Sequence, residues 1–312
     1  MDVKQRDKET DLTSCDKLTP SRLGFGASGV WGKRWFSARK AEHLIAYALE
    51  RGITHFDTAG FYAGGEAERR LGQALKAHQG YPLTISSKTG TIYRPGRAPL
   101  KDFSPKTIRA DVMASLNRLN RDRIDILYLH GPNKGQIKST SEVLCQLKQE
   151  GKIGAIGVCG QGGPLLFAAK QPHIDVIMGA FNAFSQGHAE CFRLAKTCKK
   201  KVVAIASMGQ ALYRKGFYRP KSFADIWYIA RALARKRGDL IKAQSRPHDL
   251  LASFQDLSAP AAMLAFTLSQ ADIDMAMINT TRLAHLQENL DVAQNLPLDA
   301  RIYDRLAALA ST

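Results

Sequence analysis

The sequence predicts an α/β fold: a (β/α)8 TIM barrel, its parallel sheet closed, with a long insertion after the seventh strand. Three observations carry this. Short apolar or β-branched runs alternate with helical-period segments of roughly 10–17 residues, the mark of βα units around a parallel sheet. Eight such runs occur, enough to close a sheet and leave no edge strand exposed. The length of 312 residues suits one large domain of this kind. On periodicity alone, an open doubly wound sheet competes.

The expected strands are Leu23–Ala27, His55–Ala59, Leu83–Lys88, Ile124–Leu129, Ala155–Cys159, Val176–Ala180, Val202–Ala206 and Met275–Ile278. Helices are expected at Ala38–Glu50, Glu66–Ala77, Pro105–Leu119, Ser141–Glu150, Pro164–Lys170, Ala189–Lys199, Pro260–Ser269 and Leu283–Ala293. The third shows why. Ser104 is a good N-cap, Pro105 suits the first helical position, and Ile108, Val112, Leu116 and Leu119 share one face. Residues 210–258 exceed an ordinary βα loop and follow a strand end, where barrels place active-site loops. A last helix over Asp299–Ala310 packs outside the barrel. Residues 1–17 read as a polar tail, and 18–312 as a single barrel domain.

Composition narrows the class. Hydrophobic residues make up 45% of the chain and charged residues 23%, ordinary for a globular protein. The apolar run Ala259–Leu268 is too short to cross a bilayer, and the first residues lack the apolar core of a signal peptide, so no membrane is expected and the cytoplasm is the default. Five cysteines form neither CxxC nor a Cys/His metal spacing, which predicts reduced thiols and no metal. The net charge of +17 raises a polyanion as partner. No helix-turn-helix, zinc-finger or RNP pattern accompanies it, so nucleic acid is not the expected partner. Oligomeric state is not legible.

Gly24-Phe25-Gly26-Ala27-Ser28-Gly29 matches GxGxxG. The motif holds a pyrophosphate when it follows a strand and opens a helix. Here the segment 30–36 intervenes before the helix, so the glycines are expected to let the chain turn over the barrel mouth.

The chemistry lies in what ends successive strands: Asp57, then Tyr62 just beyond it, Lys88, and His130. A barrel gathers these C-terminal ends on one rim. Reducing a carbonyl needs a hydride on carbon and a proton on oxygen. A phenol titrates near 10, so it needs a nearby cation to act at neutral pH. Lys88 can be that cation, Asp57 its anchor, and His130 a donor to the carbonyl oxygen.

The segment Gly52-Ile53-Thr54-His55-Phe56-Asp57-Thr58-Ala59-Gly60-Phe61-Tyr62, with Glu68 and Leu71-Gly72 after it, resembles the aldo-keto reductase pattern GxxxFDTAxxYGxxExxLG. Ser87-Lys88, Ile124 to His130, and Gly151-Lys152-Ile153-Gly154-Ala155-Ile156-Gly157-Val158 are similar to further elements of that family. The resemblance covers about Arg22 to Ala293. It implies the barrel, Tyr62 as general acid and base, and NADP (or NAD) bound without a Rossmann motif. It also implies a small carbonyl or alcohol substrate.

Carried over position by position, it places Cys159, Gly160, Asn182, Ser207, Thr280, Arg282, His285 and Asn289 at the cofactor. Arg282 and His285 fall near the adenosine 2′-phosphate, which favours NADP. The sequence departs from the family where Cys159-Gly160 replaces Ser-Asn, Met178 replaces Gln, and Ala206 or Ser207 replaces an aromatic. These departures motivate an alternative, a catalytically weak cofactor-binding barrel acting as a regulatory or interaction subunit.

Overall fold

The computed structural model describes residues 21–78, 80–209, 226 and 257–311. The expected tail, and the insertion over 210–258 apart from residues 226, 257 and 258, lie outside the described residues.

Eight parallel strands form a closed barrel: β1 (Leu23–Gly26), β2 (His55–Asp57), β3 (Thr84–Thr89), β6 (Ile124–His130), β7 (Ile153–Cys159), β8 (Val176–Ala180), β9 (Lys201–Ile205) and β10 (Met275–Ile278). Around the ring the order is β1, β10, β9, β8, β7, β6, β3, β2, so strands consecutive in the barrel pair side by side. Closure rules out the open sheet. Two short strands, β4 (Thr91–Ile92) and β5 (Leu100–Lys101), form an antiparallel ribbon above the end of β3 that the sequence reading did not anticipate.

The helices lie where the periodicity puts them: α1 (Ala38–Glu50), α2 (Glu66–Leu75), α3 (Pro105–Leu119), α5 (Ser141–Gln149), α6 (Gly162–Ala169), α7 (Ala189–Thr197), α8 (Ala259–Leu268), α9 (Leu283–Gln294) and α10 (Ala300–Ala307). Ser104 caps α3 by accepting from the Thr107 N–H, and Ile108, Val112, Leu116 and Leu119 are its buried face. One helix was missed. Asn133 and Gln136 form a reciprocal capping box that starts α4 (Lys134–Ser139). In α8 every residue from Ala261 to Leu268 is buried, which explains its unbroken apolar run.

Alternation along the strands divides the core in two. Phe56, Ile85, Leu127, Leu129, Ile156, Val158 and Ile177 face outward into the helix layer. Inside, Ile126, Tyr128, Ala155, Cys159, Val176, Met178, Val203, Met275 and Met277 make a separate cluster. Gly24 belongs to this filling, since a Cβ there would lie 2.3 Å from the Met277 sulfur. The chain then enters a 3-10 turn, Gly29–Gly32, rather than an α-helix, so the GxGxxG glycines serve packing and turning.

The lower rim is fastened by one repeated device. Asp125 accepts from the Ile85 N–H, Asp175 from Ile156 and Asp274 from Val202, at 2.8, 2.8 and 2.7 Å. Thr54 does the same with its hydroxyl for Ser21, at 3.0 Å. Each time, a residue at or just before the start of one strand holds the backbone of the strand before it in the barrel, near its start except at Ile156, midway along β7. Lys148 of α5 and Lys196 of α7 pair with Asp175 and Asp274.

Helices α2 and α3 approach most closely at Gly72, where a Cβ would lie 2.7 Å from the backbone oxygens of Arg118 and Leu119. Backbone cannot yield as a side-chain tip can. Gly72→Ala is therefore expected to lower stability by about 1–3 kcal/mol, although alanine is the better helix former. Denaturant unfolding checks this, and an unchanged midpoint would contradict it.

Candidate active site

Asp57, Lys88 and His130 end three strands that are neighbours in the ring, β2, β3 and β6, and Tyr62 follows β2 in a short 3-10 turn, Tyr62–Gly65. The structure brings the four together. Lys88 Nζ donates to Asp57 Oδ2 at 2.5 Å and to the Thr58 carbonyl at 2.8 Å. Their side chains are only 2% and 8% exposed, so the pair is desolvated. Lys88 Nζ lies 5.3 Å from the centre of the Tyr62 ring, and the Tyr62 and His130 rings meet edge-on at 6.1 Å. Phe61 packs against Tyr62, His130 and the half-exposed Tyr93 of the ribbon, giving the mouth an aromatic wall.

The turn that presents Tyr62 is held from behind. Ala63, Gly64 and Gly65 are all left-handed, with φ of 53°, 67° and 91°. Gly60 and Gly65 leave room for the Arg118 side chain. Arg118 Nε in turn donates to the fully buried Glu68 at 2.6 Å, and Glu68 also accepts from Ser87 Oγ at 2.6 Å. One carboxylate thus links α3, α2 and β3 beneath the tyrosine. At the other wall, Lys101 and Thr91 of the ribbon both donate to the His130 carbonyl, at 2.5 and 2.9 Å.

Electrostatics at the mouth follow from burial and the Lys88–Asp57 ion pair. Burial is the largest single influence on the Lys88 ammonium and lowers it, but Asp57, Tyr62 and Cys159 together outweigh it and the ammonium is held above its usual range. For Tyr62 burial dominates and raises the phenol, with Lys88 pulling it back. The sequence reading expected Lys88 to prevail. In the fold it does not, so the phenol keeps its proton. Burial, then the charges of Lys88 and Lys101, push His130 down to about 3, and burial pushes the Cys159 thiol up to about 11.

The residues expected at a cofactor continue around the same rim. Cys159 is paired in register with His130. Gly160, Asn182, Ser207 and Thr280 follow the ends of β7 to β10, Arg282 precedes α9, and His285 and Asn289 lie on it. They are not equivalent. Asn182 spends its amide inside the protein, donating to Ala206 O and accepting from Phe184 N at 2.9 Å each. Ser207 donates to Met277 O, and Thr280 closes a turn with Arg282. Met178 is buried within the barrel. The rim nonetheless offers a dinucleotide a group to bind, since the buried Asn279 Oδ1, after β10, has no partner within the protein. Among the described residues no three His, Cys, Asp or Glu side chains could share a metal ion, and no helix is long and apolar enough to cross a membrane.

Sequence reasoning overlooked His55, Ser86, Glu68 and Tyr128 as parts of this site. The signal for three of them was present. His55, Ser86 and Tyr128 each lie two residues before a chosen residue, and so on the same strand face.

A tyrosine over a buried lysine–aspartate pair, at the C-terminal mouth of a (β/α)8 barrel, points to a class of oxidoreductase. The model of the Aldo/keto reductase family matches residues 22–311, and the chain belongs to that family. It is 28% identical to the D-threo-aldose 1-dehydrogenase of a Pseudomonas species, over 91% of this chain and 92% of that protein. It is also 28% identical to the NADH-specific methylglyoxal reductase of Escherichia coli, with the same coverage. An aldo-keto reductase of Bacillus halodurans, solved in its holo form, superposes with a TM-score of 0.76 at 25% identity, covering 95% of this chain and 93% of that one.

The His55 and His130 imidazoles are held at about 4 and about 3, below the 6.5 of an unfolded chain. As pH falls below 6.5, the unfolded chain takes up protons that the folded one refuses, and stability drops. Above pH 7 this contribution no longer varies. Unfolding temperature should fall between pH 6.5 and 4 less steeply in His55→Gln than in the native chain. Parallel profiles would contradict a buried neutral His55.

Proposed function

We propose that this chain is an NAD(P)(H)-dependent oxidoreductase acting on a small aldehyde, ketone or aldose, or on the corresponding alcohol, with Tyr62 as general acid and base. The observation that carries the proposal is the desolvated Lys88–Asp57 pair beneath Tyr62, with His130 against the same ring. A scaffold protein has no use for a buried ammonium aimed at a phenol.

The cofactor, when bound, supplies the hydride to the carbonyl carbon. Tyr62 gives its hydroxyl proton to the carbonyl oxygen, and the phenolate left behind is stabilised by Lys88. Asp57 keeps Lys88 charged and in place. His130, neutral at working pH, offers a hydrogen bond that aligns the carbonyl oxygen. In the oxidative direction the Tyr62 phenolate takes the alcohol proton. Names of relatives support an aldose or a small α-oxoaldehyde as substrate, and the Phe61–Tyr93 wall suits the apolar face of such a molecule.

The proposed cofactor site comprises Cys159, Gly160, Asn182, Ser207 and Thr280 towards the nicotinamide and phosphates, and Arg282, His285 and Asn289 towards the adenosine. NADP(H) is the proposed form, since Arg282 at the start of α9 adds a cation where a helix already favours a phosphate. An aldo-keto reductase of Klebsiella pneumoniae that shares this fold, at 18% identity and a TM-score of 0.70, was solved with NADPH.

The internally committed Asn182 amide and the missing side chain at Gly160 favour the second reading, a barrel that turns over little. Turnover of aldoses and methylglyoxal by protein saturated with NADPH or NADH separates the two, because cofactor binding without turnover would leave only the second. Tyr62→Phe should keep NADPH binding and lose turnover by on the order of 10²–10⁴-fold across a panel of aldoses and methylglyoxal. Retained turnover would remove Tyr62 from the chemistry. Arg282→Ala should weaken NADPH by about tenfold or more and NADH little, and equal losses would move the phosphate elsewhere.

A further inference from the structure

Two polar residues lie buried on the floor of the site with no part in the mechanism above. His55 is fully buried two residues before Asp57, and Ser86 two residues before Lys88. His55 Nε2 lies 2.8 Å from Ser86 Oγ, and Ser86 Oγ lies 2.7 Å from Asp57 Oδ1.

Counting protons gives each bond a direction. Asp57, ionised beside Lys88, only accepts, so Ser86 spends its single hydroxyl proton on Oδ1. The Ser86 oxygen can then only accept from His55. The imidazole proton therefore sits on Nε2 and Nδ1 is bare, in keeping with a buried Nδ1 that has no partner. Lys88 donates to the other carboxylate oxygen from the opposite side. Every bond in the series points at Asp57.

We infer that His55, acting through Ser86, is a positioning residue that locks the Asp57 carboxylate in the orientation that pins the Lys88 ammonium beneath Tyr62, and so governs proton delivery there. A carboxylate turns freely about its last bond unless both oxygens are engaged. Without the Ser86 hydrogen bond, Asp57 can rotate and Lys88 follows it. The negative charge on Asp57 is also less dispersed, so the field that favours the Tyr62 phenolate weakens. Both effects have the same sign. The inference rests on Tyr62 as the acid–base group, and it deepens that reading.

The first test needs no turnover. In protein carrying ¹⁵N-labelled histidine and no cofactor, His55 should show a protonated Nε2 and an unprotonated Nδ1 at pH 7. The opposite tautomer, or an imidazolium, overturns the inference. The second is the pH profile of kcat/KM for benzyl alcohol oxidation with NADP. In His55→Leu and in Ser86→Ala the rising limb should move up by about one pH unit, which is tenfold in rate at the foot of the limb. The double variant should add nothing further, and His55→Gln, whose amide can still donate to Ser86, should return the limb towards the native position.

A role in packing alone would lower rates at every pH and leave the limb in place, which overturns the proposal. If His55→Leu fails to fold, Ser86→Ala carries the same prediction with a smaller change in volume. Tyr62→Phe separates the two levels. Turnover in that variant defeats the acid–base reading itself, whereas loss of turnover together with an unmoved limb in Ser86→Ala defeats only the role of His55.

Discussion

The Lys88–Asp57 ion pair is the constraint on which the upper half of this barrel is organised. Two charges removed from water are tolerated only if every remaining donor and acceptor on them is satisfied. The polar residues around the pair follow from that requirement. Thr58 offers its carbonyl to the ammonium, Ser86 donates a hydrogen bond to the carboxylate, and His55 completes Ser86. The half-buried phenol of Tyr62 then sits over a charge that has few other places to direct its field.

Satisfying these groups leaves the barrel interior lopsided. On β2 and β3 the inward positions are His55, Asp57, Ser86 and Lys88, whereas on β8, β9 and β10 they are Val176, Met178, Val203, Met275 and Met277. The boundary runs through β6 and β7. There the Tyr128 ring lies 5.9 Å from Lys88 Nζ, and Gly157 gives it room, since a Cβ at that glycine would be 2.4 Å from the ring. Methionine fills the apolar side with little demand on shape. A packed apolar wall facing a polar one keeps water from competing for the ion pair while leaving the mouth as the route of access.

How much of this was legible depended on whether the signal was local. The strands and helices were readable because burial imposes a period of two or 3.6 on neighbouring residues, and caps such as Ser104 mark their ends. Asp57, Lys88 and His130 stood out because a charged or titratable residue ending an apolar run is costly without a purpose. Glu68 did not stand out: on an amphipathic helix it looked like a solvated charge, and only Arg118, fifty residues later, reveals it as buried. The ribbon of β4 and β5 and the short helix α4 were too brief to show a period. Nor does any local pattern tell that the Asn182 amide is bonded to Ala206 and Phe184. The balance at Tyr62 was equally hidden, because burial is a property of the fold and not of the neighbouring lysine.

The fasteners along the lower rim bear on how such a barrel is put together. Thr54, Asp125, Asp175 and Asp274 each hold the strand immediately before their own, so the ring divides into four two-strand quarters, each tied within itself. None of the four ties crosses from β10 to β1, or from β6 to β7. A circular permutant opened between α4 and β7, with the native ends joined, would keep all four intact and need only remake the backbone pairing between whole quarters. The chain thus carries in its hydrogen bonds the outline of a modular assembly, in which the quarter is the unit that can be moved.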